Sequence, residues 1–537
     1  MYQCDNCGGN LKFDIALQQL TCEYCGARYD PYEIDSSTAY GFGAEESALY
    51  DVTVFTCPQC GGEILSTENS AAEFCSFCGA STILTSRISR EKRPDYIIPF
   101  RKTKEDCRKS YEKLLRRAIF APKELKDPDY IDSFRGIYMP YWSYHVTQKG
   151  SFLLTAERSY RRGNYQYTDT YHLTGDIDAD FNGFVYDASS TFSDDISAQI
   201  APYNVSEMKP FTPAMLSGFY ADTADVDSGL YQPEAIDLAN DYSFRILSGR
   251  AEFRNLSINR PQEYRLSSTL GTDCEHVHRA MLPVWFLSYR KGDRVSYATV
   301  NGQTGKISAD LPVDTRKYLL GSVLLAIPIY IFLNLSFTIV PRSTLFMSAL
   351  LALVAAIIYT VELCEINRRE QREDDIGYLY RTEGFSGAAA KRPHKSKKTA
   401  KSLRNMMKGK SVVLLIMMSI LGYQMLAMLL YLFLSLQYVI LISGVVVTAI
   451  VGIPMVYKLP VKRNWPEFIC PFIAIILDLL ILYFDPASDL FFYGGTLISY
   501  IMSCISLYAI IRKYNLLATR PLPQLGNRGG DSYAQSN

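Results

Sequence analysis

At 537 residues the chain is too long for one ordinary domain, so two to four structural units are expected. The 55 Lys and Arg balance 55 Asp and Glu, so net charge by itself singles out no partner. The hydrophobic fraction of 48% would suit a globular protein only if it were evenly spread. Instead nearly all long apolar runs follow residue 317, and the preceding part reads as soluble, Tyr-rich, mixed α and β sequence.

The chain begins MYQCDNC, with neither a basic n-region nor an apolar h-region, so no cleavable secretory signal is expected and this end is assigned to the cytoplasm. Two cysteine sets follow, Cys4, Cys7, Cys22 and Cys25, then Cys57, Cys60, Cys75 and Cys78, both spaced C-x2-C-x14-C-x2-C. Each pair precedes a glycine, Gly8, Gly26, Gly61 or Gly79. Such turns aim two thiolates at one point, and two facing turns make the tetrahedral four-sulfur cage of a structural zinc ion. Two zinc ribbons are therefore expected, over 1–35 and 52–88, each with too few apolar residues to fold without its metal. A cytoplasmic location argues against disulfides, and iron in a rubredoxin-like cage is the alternative metal.

Charge separates the two common uses of a ribbon. Residues 1–90 carry twelve acidic and four basic side chains, Lys12, Arg28, Arg87 and Arg90, a net of −8. Four thiolates around each zinc add negative charge, and such a surface repels phosphate. The expectation is a structural or protein-binding module that does not bind nucleic acid.

A β-rich α+β domain is expected over 93–317. It begins with a helix near 103–119, for which Thr103 is a fair N-cap and Pro122 bars continuation. Its apolar face, Cys107, Tyr111, Leu114, Leu115 and Ala118, suits docking on a sheet better than lying on anionic lipid. From GIYMPYWSYHV onward Tyr, Phe and Thr alternate with polar residues, the period of half-buried antiparallel strands. Residues 164–245 hold fourteen acidic and two basic side chains, again a poor surface for nucleic acid. DIDAD and DTADVDSG lack the spacing of a calcium loop and read as solvated turns. A helix is expected near 232–249, followed by strands turned at KGD and NGQTG. On a regular strand Cys274, His276 and His278 would share one face and suggest a third metal site; because metal sites usually draw on two separate segments, an ordinary strand is preferred.

The remainder reads as six transmembrane helices, at about 318–340, 344–363, 411–434, 436–457, 467–484 and 490–511. They form a hairpin over 318–363, a basic loop over 364–410, four more helices over 411–511 and a tail over 512–537. The loop holds 13 Lys and Arg, and Lys458, Lys462 and Arg463 lie in the next loop on that side. The opposite turns, PRS, SLQ and DPASD, hold one Arg between them. This asymmetry assigns both termini to the cytoplasm of a multi-pass cell-membrane protein, and the basic loop suits anionic lipid. Asp478 is the one carboxylate well inside a span, with Gln424 and Asn334 as further intramembrane polar groups. A transporter or channel would gather all three in a cavity; the preferred reading is a helix-to-helix hydrogen bond at Asp478. Gly495, Ser499 and Ser503 form a small-residue face suited to close packing.

With the paired CGG and CGA ribbons, the segments YIIPF, IYMPYWSY, FTPAMLSGFYAD, LPVWFLSY and VNGQTGKISADLP make residues 1–317 similar to bacterial membrane proteins described as TFIIB-type zinc ribbon-containing. Such proteins often carry the label replication-restart helicase PriA. That activity needs a G-x4-G-K-[ST] phosphate loop, and here Val300 precedes Gly305-Lys306 where the first glycine belongs and Ile307 stands at the hydroxyl position. The resemblance implies a membrane anchor working with SPFH-domain or phage-shock-type proteins, although the smaller members have two helices. No Ser-His-Asp order, H-E-x-x-H or nucleotide loop is found, so the expectation is a non-enzymatic scaffold with two structural zinc ions. A membrane-tethered nucleic-acid binder is the third alternative.

Overall fold

The computed structural model describes residues 2–38, 49–58, 63–66, 75, 77, 85–127, 131, 134–189, 192, 194–260, 263–291, 294–336, 340–371, 436–458 and 464–519. Near the N-terminus β1 (Leu11–Asp14), β2 (Gln19–Cys22) and β3 (Arg28–Tyr29) form a small antiparallel sheet. Helix α1 (Pro31–Thr38) leads out of it.

A second sheet has twelve strands: β4 (Leu49–Thr56), β5 (Glu63–Ser66), β6 (Thr85–Lys92), β7 (Tyr96–Ile97), β8 (Arg135–Arg162), β9 (Tyr165–Asp187), β10 (Lys209–Pro210), β11 (Tyr220–Ala221), β12 (Ser257–Ile258), β13 (Thr272–Lys291), β14 (Arg294–Asn301) and β15 (Ile307–Ala309). Its main path runs β10-β7-β13-β8-β11-β5-β4-β6; β9 and β12 pair with β8, and β14 joins β13 to β15. The strands of the second cysteine region thus belong to this sheet. β5 pairs with β11 through Tyr220↔Ser66 and Ala221↔Leu65, where a separate ribbon is expected over 52–88. The physical reason is that the hairpin is apolar on both faces. Val54 and Leu65 enter one core cluster and Phe55 and Ile64 the other, so neither face can be left to water.

The first half of β8 is buried on both faces, as a central strand should be. Ile137, Met139 and Tyr141 face one cluster, and Tyr138 the other. Around Tyr138 the segments quoted above meet. Phe100 of YIIPF stacks on Phe219 of FTPAMLSGFYAD at 4.4 Å and meets Trp285 of LPVWFLSY edge-on at 5.2 Å. Gly302 of VNGQTG lies so close that a Cβ there would come within 2.6 Å of the Phe100 ring. These segments build the centre of the head.

Helices α2 (Lys104–Arg117), α3 (Asp194–Ile200), α4 (Gln232–Gly249) and α5 (Glu263–Leu270) surround the sheet. In α2 the expected N-cap is present as a capping box, with Asp106 N donating to the Thr103 hydroxyl at 3.3 Å and Thr103 N to the Asp106 carboxylate at 3.0 Å. Cys107, Tyr111 and Leu115 are buried in the head core, as expected for a docked helix.

Beyond the head lie α6 (Thr315–Ser336), α7 (Pro341–Gln371), α8 (Leu436–Lys458), α9 (Asn464–Phe484) and α10 (Asp489–Ala518). Four are long and apolar enough to cross a membrane, within Thr315–Phe332, Pro341–Glu365, Trp465–Phe484 and Asp489–Leu516; α8 supplies a shorter apolar segment, Leu441–Tyr457. The span expected at 411–434 lies outside the described residues, as do the basic loop from 372 onward and the tail past 519. Residues 364–371, expected as loop, continue α7, and α10 runs past its expected end at 511. Helices α7, α9 and α10 share a core around Tyr359, Leu363, Phe468 and Ala509. In contrast, none of the α6 window is buried against the other described residues, which leaves its apolar side chains facing outward, as lipid contact requires.

Candidate metal centre

The first cysteine set is assembled by two tight turns, one before β1 and one between β2 and β3. Gly8 N donates to Cys4 O at 2.7 Å and Cys4 N to Gly9 O at 2.8 Å; Gly26 N and Cys22 N repeat the pattern with Cys22 O and Ala27 O, both at 2.9 Å. Gly8 (φ +71°) and Gly26 (φ +72°) occupy the left-handed region that a side chain would resist, which accounts for the glycine after each pair. The turns bring the sulfurs of Cys4, Cys7, Cys22 and Cys25 within 4.8 Å of one another. Cys4 to Cys25 and Cys7 to Cys22 are each 3.4 Å, far beyond a disulfide bond and near the ~3.8 Å edge of a tetrahedron with ~2.3 Å Zn–S bonds. This cluster can hold a metal ion.

Its electrostatics point the same way. Cys4 is pulled down to about 6, chiefly by the Tyr29 hydroxyl 3.4 Å from its sulfur. Cys7 is pushed up to about 12: the Gly9 amide lowers it, but the neighbouring Cys22 and Cys25 thiols and burial outweigh that bond. Crowded thiols titrate apart in this manner because thiolates repel, and a divalent cation removes the conflict. Tyr29, on β3, is a partner that spacing alone does not reveal. Its only sequence signal is an aromatic shortly after the second turn.

The centre is not a free tip. Cys4, Leu11, Phe13, Leu20 and Cys22 belong to the same core cluster as Phe211, Met215 and Leu216 of the head. Phe13 N donates to Ser217 O at 3.0 Å, Gln18 Nε2 to Phe100 O at 2.8 Å, and the Tyr32 hydroxyl to Pro210 O at 2.9 Å. In the second set Cys57 and Cys75 are fully buried in the cluster that contains Phe55, Phe77 and Phe286, while Cys60 and Cys78 lie outside the described residues.

Within the helices Asp478 is wholly buried and joins three elements. The Ser348 hydroxyl of α7 donates to its Oδ2 at 2.9 Å and the Ser499 hydroxyl of α10 to its Oδ1 at 2.7 Å. Gln424 and the side chain of Asn334 lie outside the described residues, so of the polar trio only Asp478 has described contacts. Gly495, Ser499 and Ser503 are buried, as a close-packed face requires.

Cys274 does not share a face with His276 and His278, because the strand is not regular. A bulge between Cys274 and His276 shifts the register against β8. Cys274 packs with Tyr144, Tyr231 and Ala235, whereas His276 lies beside His145. The period-2 expectation fails there for the reason bulges exist, one extra residue that turns a side chain over.

No family model matches the chain, and no solved structure matches it. The chain is similar to an uncharacterized protein, YdjG, of Bacillus subtilis (strain 168), 27% identical over 321 residues that cover 59% of this chain and 91% of the relative.

Proposed function

We propose that the chain is a non-enzymatic, multi-pass cell-membrane protein whose cytoplasmic head, ordered by zinc, recruits or scaffolds partner proteins at the inner membrane face. The observation that carries this reading is the four-sulfur cluster of Cys4, Cys7, Cys22 and Cys25 sharing one core with a head that leads directly into apolar helices. Four thiolates at tetrahedral spacing and no oxygen or nitrogen ligand favour zinc in a closed, structural role. By repetition of spacing, Cys57, Cys60, Cys75 and Cys78 hold a second zinc ion.

Recruitment, in preference to nucleic-acid binding, is supported by the −8 balance of residues 1–90. The resemblance to TFIIB-type zinc ribbon-containing membrane proteins adds SPFH-domain or phage-shock-type proteins as the partner class. The basic 364–410 loop fits anionic lipid at the same face, which supports a cytoplasmic location for both termini. A transporter reading draws no support from Asp478, since both carboxylate oxygens already accept serine hydroxyls that tie helices together.

The test compares native protein, solubilised from its own membrane, with a Cys4→Ser/Cys7→Ser variant in affinity capture. Partners retained by the native chain and lost by the variant support recruitment by the zinc-ordered head. Identical partner sets from the two proteins would sink it.

A further inference from the structure

Three of the chain's five histidines stand together on the large sheet. His145 of β8 is the cross-strand neighbour of His276 on β13, and their rings lie 6.2 Å apart. The His278 ring follows at 6.1 Å from His276. His145 Nε2 is hydrogen-bonded to Asp180 Oδ1 of β9 at 2.8 Å, while Asp95 Oδ2, just before β7, lies 3.7 Å from His278 Nδ1 and accepts from Arg279 N at 2.8 Å. His145 thus commits Nε2 to Asp180 and has Nδ1 as its remaining ligand atom. The cluster faces solvent, with the His145 and His278 side chains 20% and 37% exposed.

The backbone is adapted to this spot on both sides of His145. β13 bulges between Cys274 and His276, and the β8–β9 ladder shifts register between Tyr144 and His145, where Gly183 has φ +89°. Without the first bulge, Cys274 would occupy the histidine face; with it, the thiol turns to the opposite face, partly buried against the cluster of Tyr144 and Tyr231, and the imidazoles are left as a set. Bulges in both strands that flank β8, at the level of His145, are a means by which a sheet re-aims side chains at a site.

We propose that His145, His276 and His278 form a solvent-facing site for a divalent transition-metal ion of the Zn2+ class, distinct from the cysteine centre. Neutral imidazole is the side chain best matched to such ions, and a carboxylate on the far nitrogen of a ligating ring fixes its tautomer and raises its basicity. Asp180 is placed for that role. Two imidazoles on one ion with Zn–N of ~2.0–2.1 Å have ring centres about 5–6 Å apart, and these rings, at 6.2 and 6.1 Å, stand just outside that spacing. Three protein ligands leave a fourth position open, so the ion would exchange with solvent, unlike one in a closed four-thiolate cage. The site stands whether or not the head recruits partners.

The experiment uses the full chain in detergent, carrying an affinity tag free of histidine, purified with zinc so that the thiolate sites are filled and then freed of excess ion. Calorimetric titration with Zn2+ is expected to show one further equivalent. His276→Gln weakens it at least tenfold, and Asp180→Asn weakens it about tenfold through the outer partner. The proposal is overturned if no further equivalent binds, or if His276→Gln and His278→Gln both titrate like the native chain.

Discussion

Tyr29 and Cys4 show how much of the metal centre rests on single atoms. A hydroxyl 3.4 Å from the sulfur stabilises the thiolate, and a hydrogen bond to a ligand is a large part of what sets metal affinity. Tyr29→Phe is expected to keep the ion but bind it about tenfold more weakly, read by competition with a chromogenic chelator. Cys22→Ser, which removes a ligand, is expected to lower bound metal by one ion per chain in elemental analysis; unchanged metal content would contradict a site at this cluster. The four cysteines of the first set could be read from their spacing because thiolate turns are local, each fixed by four or five consecutive residues. The Tyr29 contact and the meeting of His145 with His276 could not. They depend on which strand lies beside which, and on bulges that no hydrophobic period announces.

At the scale of elements, α2 and the packing of α7, α9 and α10 follow from rules of different reach. Helix α2 was legible from Thr103 and Pro122 because capping is decided within one turn. Thr103→Ala is expected to cost about 1 kcal/mol locally, seen as roughly fivefold faster amide exchange across 104–117. The same box holds the Asp106 carboxyl below its usual range, first through the Thr103 backbone amide. A depressed acid contributes stability above its unfolded pKa and loses it as pH falls through the folded one, so the Thr103→Ala difference should shrink on acidification below the ordinary carboxylate range. Among the described apolar helices, length and hydropathy foretold the four long segments, and Asp478 could be recognised as out of place. Its partners Ser348 and Ser499 could not, since serine is unremarkable in an apolar helix. Asp478→Ala is expected to destabilise the α7–α9–α10 contact by about 1–2 kcal/mol, with Asp478→Asn milder because it keeps one acceptor. Thermal unfolding in detergent checks this order; equal melting temperatures for all three proteins would count against the tie.

Among the described residues the head and the helices are joined at two places. The chain enters α6 where Asp314 N donates to Phe120 O at 2.8 Å and Lys317 Nζ to Ala121 O at 2.6 Å. It returns where the end of α10 meets the same region: the Asn515 side chain accepts from Val313 N at 2.7 Å and donates to Val313 O at 2.8 Å, the Tyr514 hydroxyl donates to Leu311 O at 3.1 Å, and Val295 N donates to Thr519 O at 2.9 Å. Near that end of the bundle Lys513 pairs with Glu467 at 3.6 Å, and the Tyr359 hydroxyl donates to Glu467 at 3.1 Å. These bonds fix the first and last described spans to one side of the head, so a change in helix packing has a direct route into strand β14. Nothing in the sequence of α10 marks it as a docking element; residues past 511 are expected as a tail, and the partner backbone lies about two hundred residues earlier. Asn515→Ala leaves both Val313 groups without their partner, a loss of about 1–3 kcal/mol at this joint. The expected readout is faster exchange at the Val313 amide and earlier proteolytic cleavage between residues 310 and 318, with the four-cysteine centre still metal-loaded. If Val313 stays as protected as in the native chain, the second attachment is not what holds the head against the helices, and the entry contacts of Asp314 and Lys317 carry that task alone.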